Sequence, residues 1–249
     1  MEILGVIPAR YASTRFPGKP LANIGGKPMI QWVYEKSSAV FKHLYVATDD
    51  VRIKACVEEF GGRCIMTSEN HKSGTDRCAE ALAIAEKFSG KTFDVVVNIQ
   101  GDEPFILEDQ LRLVLEPFKK ENVQITTLVK LFTAEEDIFN SNAPKVVVGV
   151  NGQALYFSRS AIPFVRGKDK LDWTKSHTFY KHIGLYAYRS KVLNEITKLQ
   201  QSNLEIAESL EQLRWLENGY SIHVEVTSME TLAIDTPADL EKAVRLLNL

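Results

Sequence analysis

Short apolar runs alternate with amphipathic segments through the first 120 residues. Ile3 to Pro8 has the pattern of a buried strand, and Met29, Ile30 and Val33 then recur at helical spacing. Further strands are predicted at 44–48, 63–66 and 94–99, and further helices at 51–60, 76–88 and 111–118. Strands that alternate with helices are typical of an α/β fold. The pattern therefore predicts a doubly wound, mostly parallel sheet.

The alternation weakens after residue 120. Strands are predicted at 124–132, 145–150, 154–158 and 183–188. Ser202 or Asn203 is expected to cap one helix that runs to Gly219, with its apolar residues towards the core: Ile206, Leu210 and Leu213. We interpret the chain as a single domain, 1–249, with a first half (1–120) and an elaborated second half (121–249) that covers the sheet and supplies one wall of a substrate site.

Local signals place the ends of two helices. Thr75 is the expected N-cap of the helix at 76–88. Thr236 and Asp239 have the spacing of a capping box, with Pro237 at the first helical position, so a last helix is predicted there. The apolar stretch Thr231–Ile234 before it has the character of a strand.

Composition limits the kind of partner. The 249 residues are 45% hydrophobic and 25% charged, enough for a sizeable core, and the formal charge of −2 gives no global attraction to nucleic acid or to a membrane. The three cysteines show no CxxC spacing, which favours free thiols in a reducing compartment. No apolar run has the length of a signal peptide core or a membrane span, so we expect a cytoplasmic protein.

The first loop concentrates positive charge directly after a buried strand. Residues 8–19 carry Arg10, Arg15 and Lys19, two hydroxyl side chains and no acid. The loop matches neither the P-loop nor the dinucleotide fingerprint. Its cations could hold a triphosphate and offset the charge on a leaving pyrophosphate. An ordinary solvated loop is the alternative interpretation of the same residues.

Two acids are candidates for a metal site opposite that loop. Ligands of doubly wound sheets bind at the carboxyl ends of the strands where the winding direction reverses. Asp102 follows the strand at 94–99, so it should face the cationic loop across this reversal. A carboxylate near phosphates implies an intervening cation, for which Mg²⁺ is suited. Asp235, before the last helix, is the second candidate ligand; a residue of a turn is its alternative role.

Seven stretches of this sequence resemble one enzyme family. They occur in order from near the first residue to near the last: IPARYASTRFPGKPL at 7–21, HKSGTDR at 71–77, VNIQGDEP at 97–104, ALYFSR at 154–159, KHIGLYAYR at 181–189, LEQLR at 210–214 and IDTPADLE at 234–241. On these stretches the chain resembles the 3-deoxy-D-manno-octulosonate cytidylyltransferases, also called CMP-Kdo synthetases.

The resemblance implies a nucleotide-diphospho-sugar transferase-like fold and a reaction of CTP with Kdo that gives CMP-Kdo and pyrophosphate for lipopolysaccharide biosynthesis. It also implies a Gram-negative type of cell and a homodimer, with a nucleotide-binding half (1–120) and a sugar-binding and dimerisation half (121–249). Arg10, Arg15 and Lys19 become triphosphate contacts, and Asp102 and Asp235 become Mg²⁺ ligands. The expected cytidine contacts are Ala9, Ser73, Gly74 and Thr75. The expected contacts to the sugar acid are Gln100, Arg159, His182, Tyr186, Glu211 and Gln212.

Residue chemistry is compatible with this division of roles. A carboxylated sugar needs a cation such as Arg159. Glu208, Glu211 and Gln212 are spaced to share one flank of a helix. A lone histidine beside an apolar strand, such as His182, is more often structural, and a glutamate on a helix flank is usually only solvated.

Two departures and several rivals bear on the substrate. Ala233 occupies a position where much of the family has Gly, and the loop 164–176 matches nothing distinctive. Both lie near the expected sugar side, so 8-amino-Kdo or sialic acid stays open as the acceptor. A sugar-1-phosphate nucleotidyltransferase is a further rival. A nicotinamide dehydrogenase lacks its glycine fingerprint here, and a catalytically silent nucleotide-binding module is the rival of another class.

Overall fold

The computed structural model describes residues 1–12, 16–133, 135–229 and 232–246. They form two compact units. The first comprises Met1–Arg112, Ala187–Thr197 and Thr231–Leu249, and the second comprises Leu113–Tyr186 and Lys198–Glu230. The boundary near 112 is close to the expected one at 120, but two later segments return to the first unit. A single folding domain stays a prediction.

Strands and helices alternate along the described chain. The strands are β1 (Ile3–Ala9), β2 (Asn23–Ile24), β3 (Lys27–Pro28), β4 (His43–Thr48), β5 (Cys64–Met66), β6 (Val95–Asn98), β7 (Ile125–Leu131), β8 (Lys145–Val148), β9 (Ala154–Ser158), β10 (Tyr180–Arg189) and β11 (Ile222–Thr227). The α-helices are α1 (Met29–Ser38), α2 (Val51–Glu59), α3 (Gly74–Ser89), α4 (Glu108–Leu113), α5 (Trp173–Ser176), α6 (Ser190–Ile196), α7 (Asn203–Glu208), α8 (Gln212–Glu217) and α9 (Pro237–Leu246).

The first unit is built on parallel strands in the order β6-β1-β4-β5. Val6 of β1 is in register with Tyr45 of β4 on one side and with Asn98 of β6 on the other. The valines of β6 are fully buried, as expected for a strand covered on both faces. The winding direction reverses at β1, so the predicted α/β class and its reversal between β1 and β6 are confirmed.

The helix α3 begins two residues earlier than its pattern predicted. Ser73 is its N-cap: the Ser73 hydroxyl accepts from the Asp76 N–H, and the Asp76 carboxylate accepts from the Ser73 N–H. The expected cap at Thr75 was therefore wrong. Thr75 is a buried residue inside the first turn. The reciprocal Ser73–Asp76 hydrogen bonds already cap the helix at Ser73, two positions before Thr75.

The second unit has a mixed sheet. β7 lies between β11 and β10 and is parallel to β11, whereas β8 pairs antiparallel with both β10 and β9. The strands predicted at 124–132, 145–150, 154–158 and 183–188 are confirmed as β7, β8, β9 and β10. That this half covers a sugar site stays a prediction.

The helix predicted to run as far as Gly219 is broken in two. The expected cap at Ser202 is confirmed, with Glu205 completing a capping box, but α7 ends at Glu208. Ser209 is then left-handed, with φ 50°, and α8 starts at Gln212. Leu210 and Leu213 are buried as expected, whereas Ile206 is 60% exposed. Because the break redirects the chain, the expected position of Ile206 in the core was wrong.

The break also separates residues that the pattern grouped. Glu208 is the last residue of α7, whereas Gln212 is the first of α8 and Glu211 precedes it. The three side chains therefore do not share one helix flank, and that prediction was wrong. The left-handed backbone at Ser209 is the physical reason.

The segment before α9 is extended coil. Leu232 to Asp235 form no strand, and Thr231 lies outside the described residues. The predicted strand at 231–234 was therefore wrong for its described part. Ile234 instead donates one backbone hydrogen bond to the Asp102 carbonyl oxygen at 2.9 Å. The capping box of α9 is confirmed: the Asp239 carboxylate accepts from the Thr236 N–H at 3.0 Å, and the Thr236 hydroxyl accepts from the Asp239 N–H at 3.3 Å.

The cysteines are free thiols: Cys78 is buried, and Cys56 and Cys64 are partly buried. Burial raises the pKa of Cys64 to about 11, which keeps it protonated near neutral pH. None of the helices in the described residues has the length and apolar character needed to span a bilayer.

Candidate active site

The Lys19 ammonium lies between two carboxylates at the carboxyl edge of the first unit's sheet. Its Nζ atom is 2.5 Å from Oδ2 of Asp102 and 3.2 Å from Oδ1 of Asp235. Asp102 follows β6, and Asp235 precedes α9. The fold thus brings together three candidates that are distant in the sequence. Asp102 is 83 residues from Lys19, and Asp235 is 216 residues from it.

Backbone and core contacts fix these three side chains. The Ile234 N–H bonds to the Asp102 carbonyl, which ties the two acidic segments together. Gly18, left-handed with φ 70°, closes the loop before Lys19 by donating its N–H to the Tyr11 carbonyl at 2.9 Å. Ile234 also packs in a buried apolar cluster with Ile24, Met29 and Ala243, which anchors the segment before Asp235.

The pair of acids has the donor chemistry of a magnesium site. Carboxylate oxygens are hard ligands, and Mg²⁺ commonly takes one or two of them together with waters and phosphate oxygens. Over the described part of the chain, no cluster of three or more His, Cys, Asp or Glu side chains could hold a metal ion.

A pocket of about 250 Å³ opens beside the end of β1. Three of its lining residues are cationic: Arg10, Lys72 and Arg77. The others are Pro8, Ala9, His71, Ser73, Gly74 and Gln100. A pocket with this lining suits an anionic ligand that also carries hydrogen-bonding groups.

Glycines let the pocket walls approach each other closely. A Cβ atom on Gly101 would lie 3.0 Å from the carbonyl oxygen of Pro8, which is backbone and cannot swing away. Gly74, at the start of α3, also faces Pro8, at 3.4 Å from its Cγ atom. Since Gln100 lines the pocket and Asp102 contacts Lys19, Gly101 joins the pocket to the acidic pair.

The structure brings together most of the candidates on the nucleotide side. Ala9, Arg10, Ser73 and Gly74 line the pocket, and Arg10 is exposed. Gln100 lies in the same lining, although the resemblance assigned it to the sugar acid. Thr75 is buried and is not among the lining residues of the pocket. Arg15 lies outside the described residues.

Arg77 is a pocket residue that the sequence reasoning missed. It is 3% exposed, and its guanidinium donates to the Thr67 hydroxyl at 2.5 Å and to the Asp49 carboxylate at 3.0 Å. The signal was present in the stretch HKSGTDR, since a helix capped at Ser73 puts position 77 in its first turn. The partner Asp49, 28 residues away, was not recognisable from any local pattern.

His71 is the second pocket residue that was missed. Its Nε2 atom makes a short contact with the Glu80 carboxylate, which also accepts from the Ser68 N–H at 2.8 Å. Burial by itself would raise the pKa of Glu80, but the hydrogen bonds from Ser68 and His71 outweigh it and lower that pKa. This pairing fixes the loop that forms one wall of the pocket.

In the second unit, backbone carbonyl groups hold the Arg159 guanidinium. Its Nε atom donates to the Glu208 carbonyl at 2.7 Å, Nη1 to the Ser141 carbonyl at 3.0 Å and Nη2 to the Ser209 carbonyl at 3.2 Å. Glu208 and Ser209 are the residues at the break between α7 and α8. Arg159 therefore binds carbonyl groups that the end of α7 leaves without helical partners.

His182 is held as a neutral imidazole. Burial lowers its pKa to about 4. The Thr127 hydroxyl lies 3.1 Å from its Nε2 atom and 2.8 Å from the Leu185 carbonyl oxygen. The carbonyl can only accept, so the Thr127 hydroxyl donates its one proton to the Leu185 carbonyl oxygen. The Thr127 oxygen then accepts from His182, which therefore carries its proton on Nε2. Nδ1 is then an acceptor.

Tyr186 and the start of α8 complete the candidates of the second unit. The Tyr186 ring lies 5.3 Å from the His182 ring and 5.3 Å from Trp215 of α8. Glu211 accepts from Arg214 at 2.9 Å. Gln212 is 5% exposed, and its Nε2 atom is buried without a hydrogen-bond acceptor among the described residues. Such a donor is costly unless a ligand supplies the acceptor.

Comparisons with known proteins are consistent along the whole chain. The model of the cytidylyltransferase family matches residues 4–222. A protein of Parabacteroides distasonis named 3-deoxy-manno-octulosonate cytidylyltransferase is 59% identical over 251 residues, covering 99% of this chain and 98% of the relative. A protein of the same name from Bacteroides thetaiotaomicron is 61% identical over 250 residues, covering 99% of this chain and 98% of the relative.

One solved structure is similar over its full length. It is CMP:2-keto-3-deoxy-manno-octonic acid synthetase in complex with CTP. Its TM-score is 0.90 at 40% sequence identity, and the match covers 100% of this chain and 99% of that one.

Proposed function

This chain belongs to the cytidylyltransferase family, and on that premise we propose that it activates 3-deoxy-manno-octulosonate, Kdo, with CTP, forming CMP-Kdo and pyrophosphate. It is a nucleotidyltransferase with the α/β fold of a CMP-Kdo synthetase. The observation that carries the proposal is the meeting of Lys19, Asp102 and Asp235 beside a cation-lined pocket. The pocket binds the nucleotide, and the charged group acts on its phosphates.

The nucleotide is held from three directions. The ends of β1 and β6 and the start of α3 line the pocket and bind the cytidine through Ala9, Ser73, Gly74 and neighbouring backbone. Arg10 and Lys19 neutralise the triphosphate. Arg15 has the same role because it lies in the stretch IPARYASTRFPGKPL, which resembles the family. Charge-assisted hydrogen bonds of this kind are about twice as strong as neutral ones.

Asp102 and Asp235 would hold Mg²⁺. Two carboxylates match the number that this ion commonly takes from a protein, with phosphate oxygens as further ligands. When bound, Mg²⁺ would supply positive charge that offsets the charge of the phosphates. Lys19, already bound to both carboxylates, stays close enough to share the charge of the leaving pyrophosphate.

The reaction is an in-line displacement. The anomeric hydroxyl oxygen of Kdo bonds to the α-phosphorus, the bond from that phosphorus to the bridging oxygen breaks, and pyrophosphate leaves with the bonding electrons. The hydroxyl proton is lost to solvent. Charge develops on phosphoryl oxygens, so the chain contributes by positioning the reactants and by stabilising that charge with Arg10, Arg15 and Lys19.

The sugar acid is bound by groups matched to its parts. Arg159 pairs with the carboxylate, and the neutral His182 accepts from a hydroxyl through Nδ1. Gln212 donates its buried amide N–H, which otherwise lacks an acceptor among the described residues. Tyr186, Glu211 and Gln100 supply further hydrogen-bonding groups.

The test is pyrophosphate release from the purified full chain. CTP, ATP, GTP, UTP and dTTP are each combined with Kdo, 8-amino-Kdo, sialic acid and glucose 1-phosphate, with Mg²⁺ or with EDTA. We expect release with CTP and Kdo in Mg²⁺, and loss of release in EDTA. Preference for another acceptor over Kdo, or release with glucose 1-phosphate alone, would reject the proposed substrate.

We also propose a homodimer in the cytoplasm, where CTP is available. Large apolar side chains of the second unit are exposed in one copy of the chain: Leu155 is 62% exposed, Phe164 73% and Leu171 86%. Burying such side chains in an interface is favourable. Light scattering after gel filtration should give twice the mass of 28.0 kDa; a monomer at micromolar concentration would reject the dimer.

A further inference from the structure

Glu208 makes two hydrogen bonds that fix the backbone at the end of β9. Its Oε1 atom accepts from the Ser158 hydroxyl at 2.6 Å, and its Oε2 atom accepts from the Arg159 N–H at 2.9 Å. Ser158 is 3% exposed, so one of these bonds is made by a buried hydroxyl. Both carboxylate oxygens of Glu208 are thus engaged by the chain itself.

The backbone of Glu208 also contacts the side chain of Arg159. The Glu208 carbonyl oxygen accepts from Nε of the guanidinium at 2.7 Å. The carbonyl oxygen of the next residue, the left-handed Ser209, accepts from Nη2 at 3.2 Å. The break after α7 frees these two carbonyls from helical hydrogen bonds. Glu208 therefore holds Arg159 at its backbone and, with Ser209, at its guanidinium.

The opposite side of Arg159 is fixed as well. The ammonium of the buried Lys145 donates to the Arg159 carbonyl oxygen at 2.7 Å and to the Asn140 carbonyl at 2.8 Å. The Ser141 carbonyl takes Nη1 at 3.0 Å. A guanidinium has five N–H donors. Three of them go to carbonyls of the described residues, which leaves two for a planar acceptor.

We propose that Glu208 is a positioning residue for the sugar acid: together with the break at Ser209 it fixes Arg159 so that the remaining two N–H groups bind the substrate carboxylate. This inference rests on the proposed function. It assigns Glu208 no contact with substrate, because both of its carboxylate oxygens are engaged by Ser158 and Arg159. A guanidinium held before binding loses less conformational entropy when the sugar acid arrives.

The alternative is that Arg159 only stabilises the end of α7. The two roles differ in what they predict for catalysis. A purely structural Arg159 would affect stability and leave the KM for Kdo unchanged. A positioned Arg159 makes that KM depend on Glu208, while the KM for CTP stays the same because the nucleotide is bound by other residues.

The experiment compares Glu208→Gln with wild type in the full chain, with KM for Kdo, KM for CTP, kcat and Tm as readouts. The amide keeps one acceptor oxygen for the Arg159 N–H and loses the negative charge that strengthens both bonds, so it holds the end of β9 more weakly. We expect the KM for Kdo to rise about tenfold, corresponding to about 1.4 kcal/mol, and the KM for CTP to stay within twofold. Wild-type turnover in the same assay tests the proposed function separately.

Glu217→Gln is the matched control. Glu217, on α8, accepts from the Leu204 N–H in α7 at 3.3 Å, so loss of its negative charge weakens this bond and loosens α7 without touching Arg159. We expect both KM values to stay at the wild-type level. Equal rises in the KM for Kdo in the two variants would overturn the proposal, because loosening α7 alone would then explain them.

A double-mutant cycle with Arg159→Ala tests the path through Arg159. Once Arg159 is gone, Glu208→Gln should raise the KM for Kdo no further. An additive effect would overturn the proposal, since Glu208 would then act without Arg159. If Glu208→Gln does not fold, Ser158→Ala removes the bond to Oε1, together with the bond that the Ser158 hydroxyl accepts from the Ser160 N–H, and should raise the KM for Kdo selectively by a few-fold; an unchanged value would likewise overturn it.

Discussion

Gly101 packs against Pro8 so closely that a Cβ atom would stand 3.0 Å from the Pro8 carbonyl oxygen. Pro8 is the second-last residue of β1, the strand that leads into the cationic loop, and Gly101 directly precedes Asp102. The absence of a side chain at this one position therefore sets how near the acidic pair comes to the nucleotide pocket. A side chain at this position would force the Pro8 backbone to move by a few tenths of an ångström.

Gly101→Ala should displace the two loops by a few tenths of an ångström. Misplacing catalytic groups by about 1 Å can cost about 10²-fold in rate, so we expect a loss of about tenfold in kcat/KM for CTP. Steady-state kinetics would measure it. A Tm close to that of the wild type would attribute the loss to loop position, and wild-type kinetics in this variant would contradict the argument.

Asp102→Asn should keep the fold and lose turnover. Removing one group that stabilises transition-state charge commonly costs about 10²- to 10³-fold in rate, and we expect a fall in kcat of that size. Asp109→Asn is the control, because Asp109 is an exposed residue of α4. Near wild-type formation of CMP-Kdo by Asp102→Asn would count against the proposed site.

Lys19→Met should make stability depend on Mg²⁺. Without the ammonium, the carboxylates of Asp102 and Asp235 repel each other with no cation between them. We expect a lower Tm in EDTA than for wild type, and a larger rise in Tm when Mg²⁺ is added, together with loss of turnover. Lys54→Met is the control because the Lys54–Glu58 pair is exposed. The same Mg²⁺ response in Lys19→Met and wild type would refute this expectation.

Arg77→Met should weaken nucleotide binding and stability together. It leaves the Asp49 carboxylate without its guanidinium partner. Breaking buried pairs costs about 3–5 kcal/mol, and we expect the low end because Asp49 is partly exposed. Urea unfolding and the KM for CTP should both change, with the KM for Kdo unaffected. Lys119→Gln, at an exposed ion pair with Glu116, should change neither; an unchanged KM for CTP in Arg77→Met would exclude a role in the pocket.

His182 should make the protein sensitive to acid. Its folded pKa of about 4 is below the usual 6.5, so the unfolded state binds more protons between these values. Stability conferred by the neutral imidazole is therefore fully present above about pH 6.5 and is lost as the pH falls towards 4, by at most about 3 kcal/mol. The difference in Tm between pH 7 and pH 4.5 should be smaller in His182→Gln. An equal difference in both proteins would show that His182 does not contribute.

Much of the first unit was predictable because its signals are local. The run of valines in β6 and the helical spacing of apolar residues in α1 both indicate which side chains are buried. The error at Thr75 arose because two neighbouring hydroxyl residues could both cap α3, and the choice depends on the Asp76 side chain. The helix break was not predictable, because the apolar spacing of Leu210 and Leu213 continues across Ser209.

By itself, the sequence determined the alternation of strands and helices and, through it, the edge at which Asp102 meets the cationic loop, since parallel strands present their carboxyl ends together. The tertiary structure alone decided which distant groups hold the site residues. Asp49 pairs with Arg77 from 28 positions away, and Glu208 pairs with Arg159 from 49 positions away. Such contacts depend on how separate elements pack. The periodicity of the sequence does not indicate which residue will pair with a buried charged side chain.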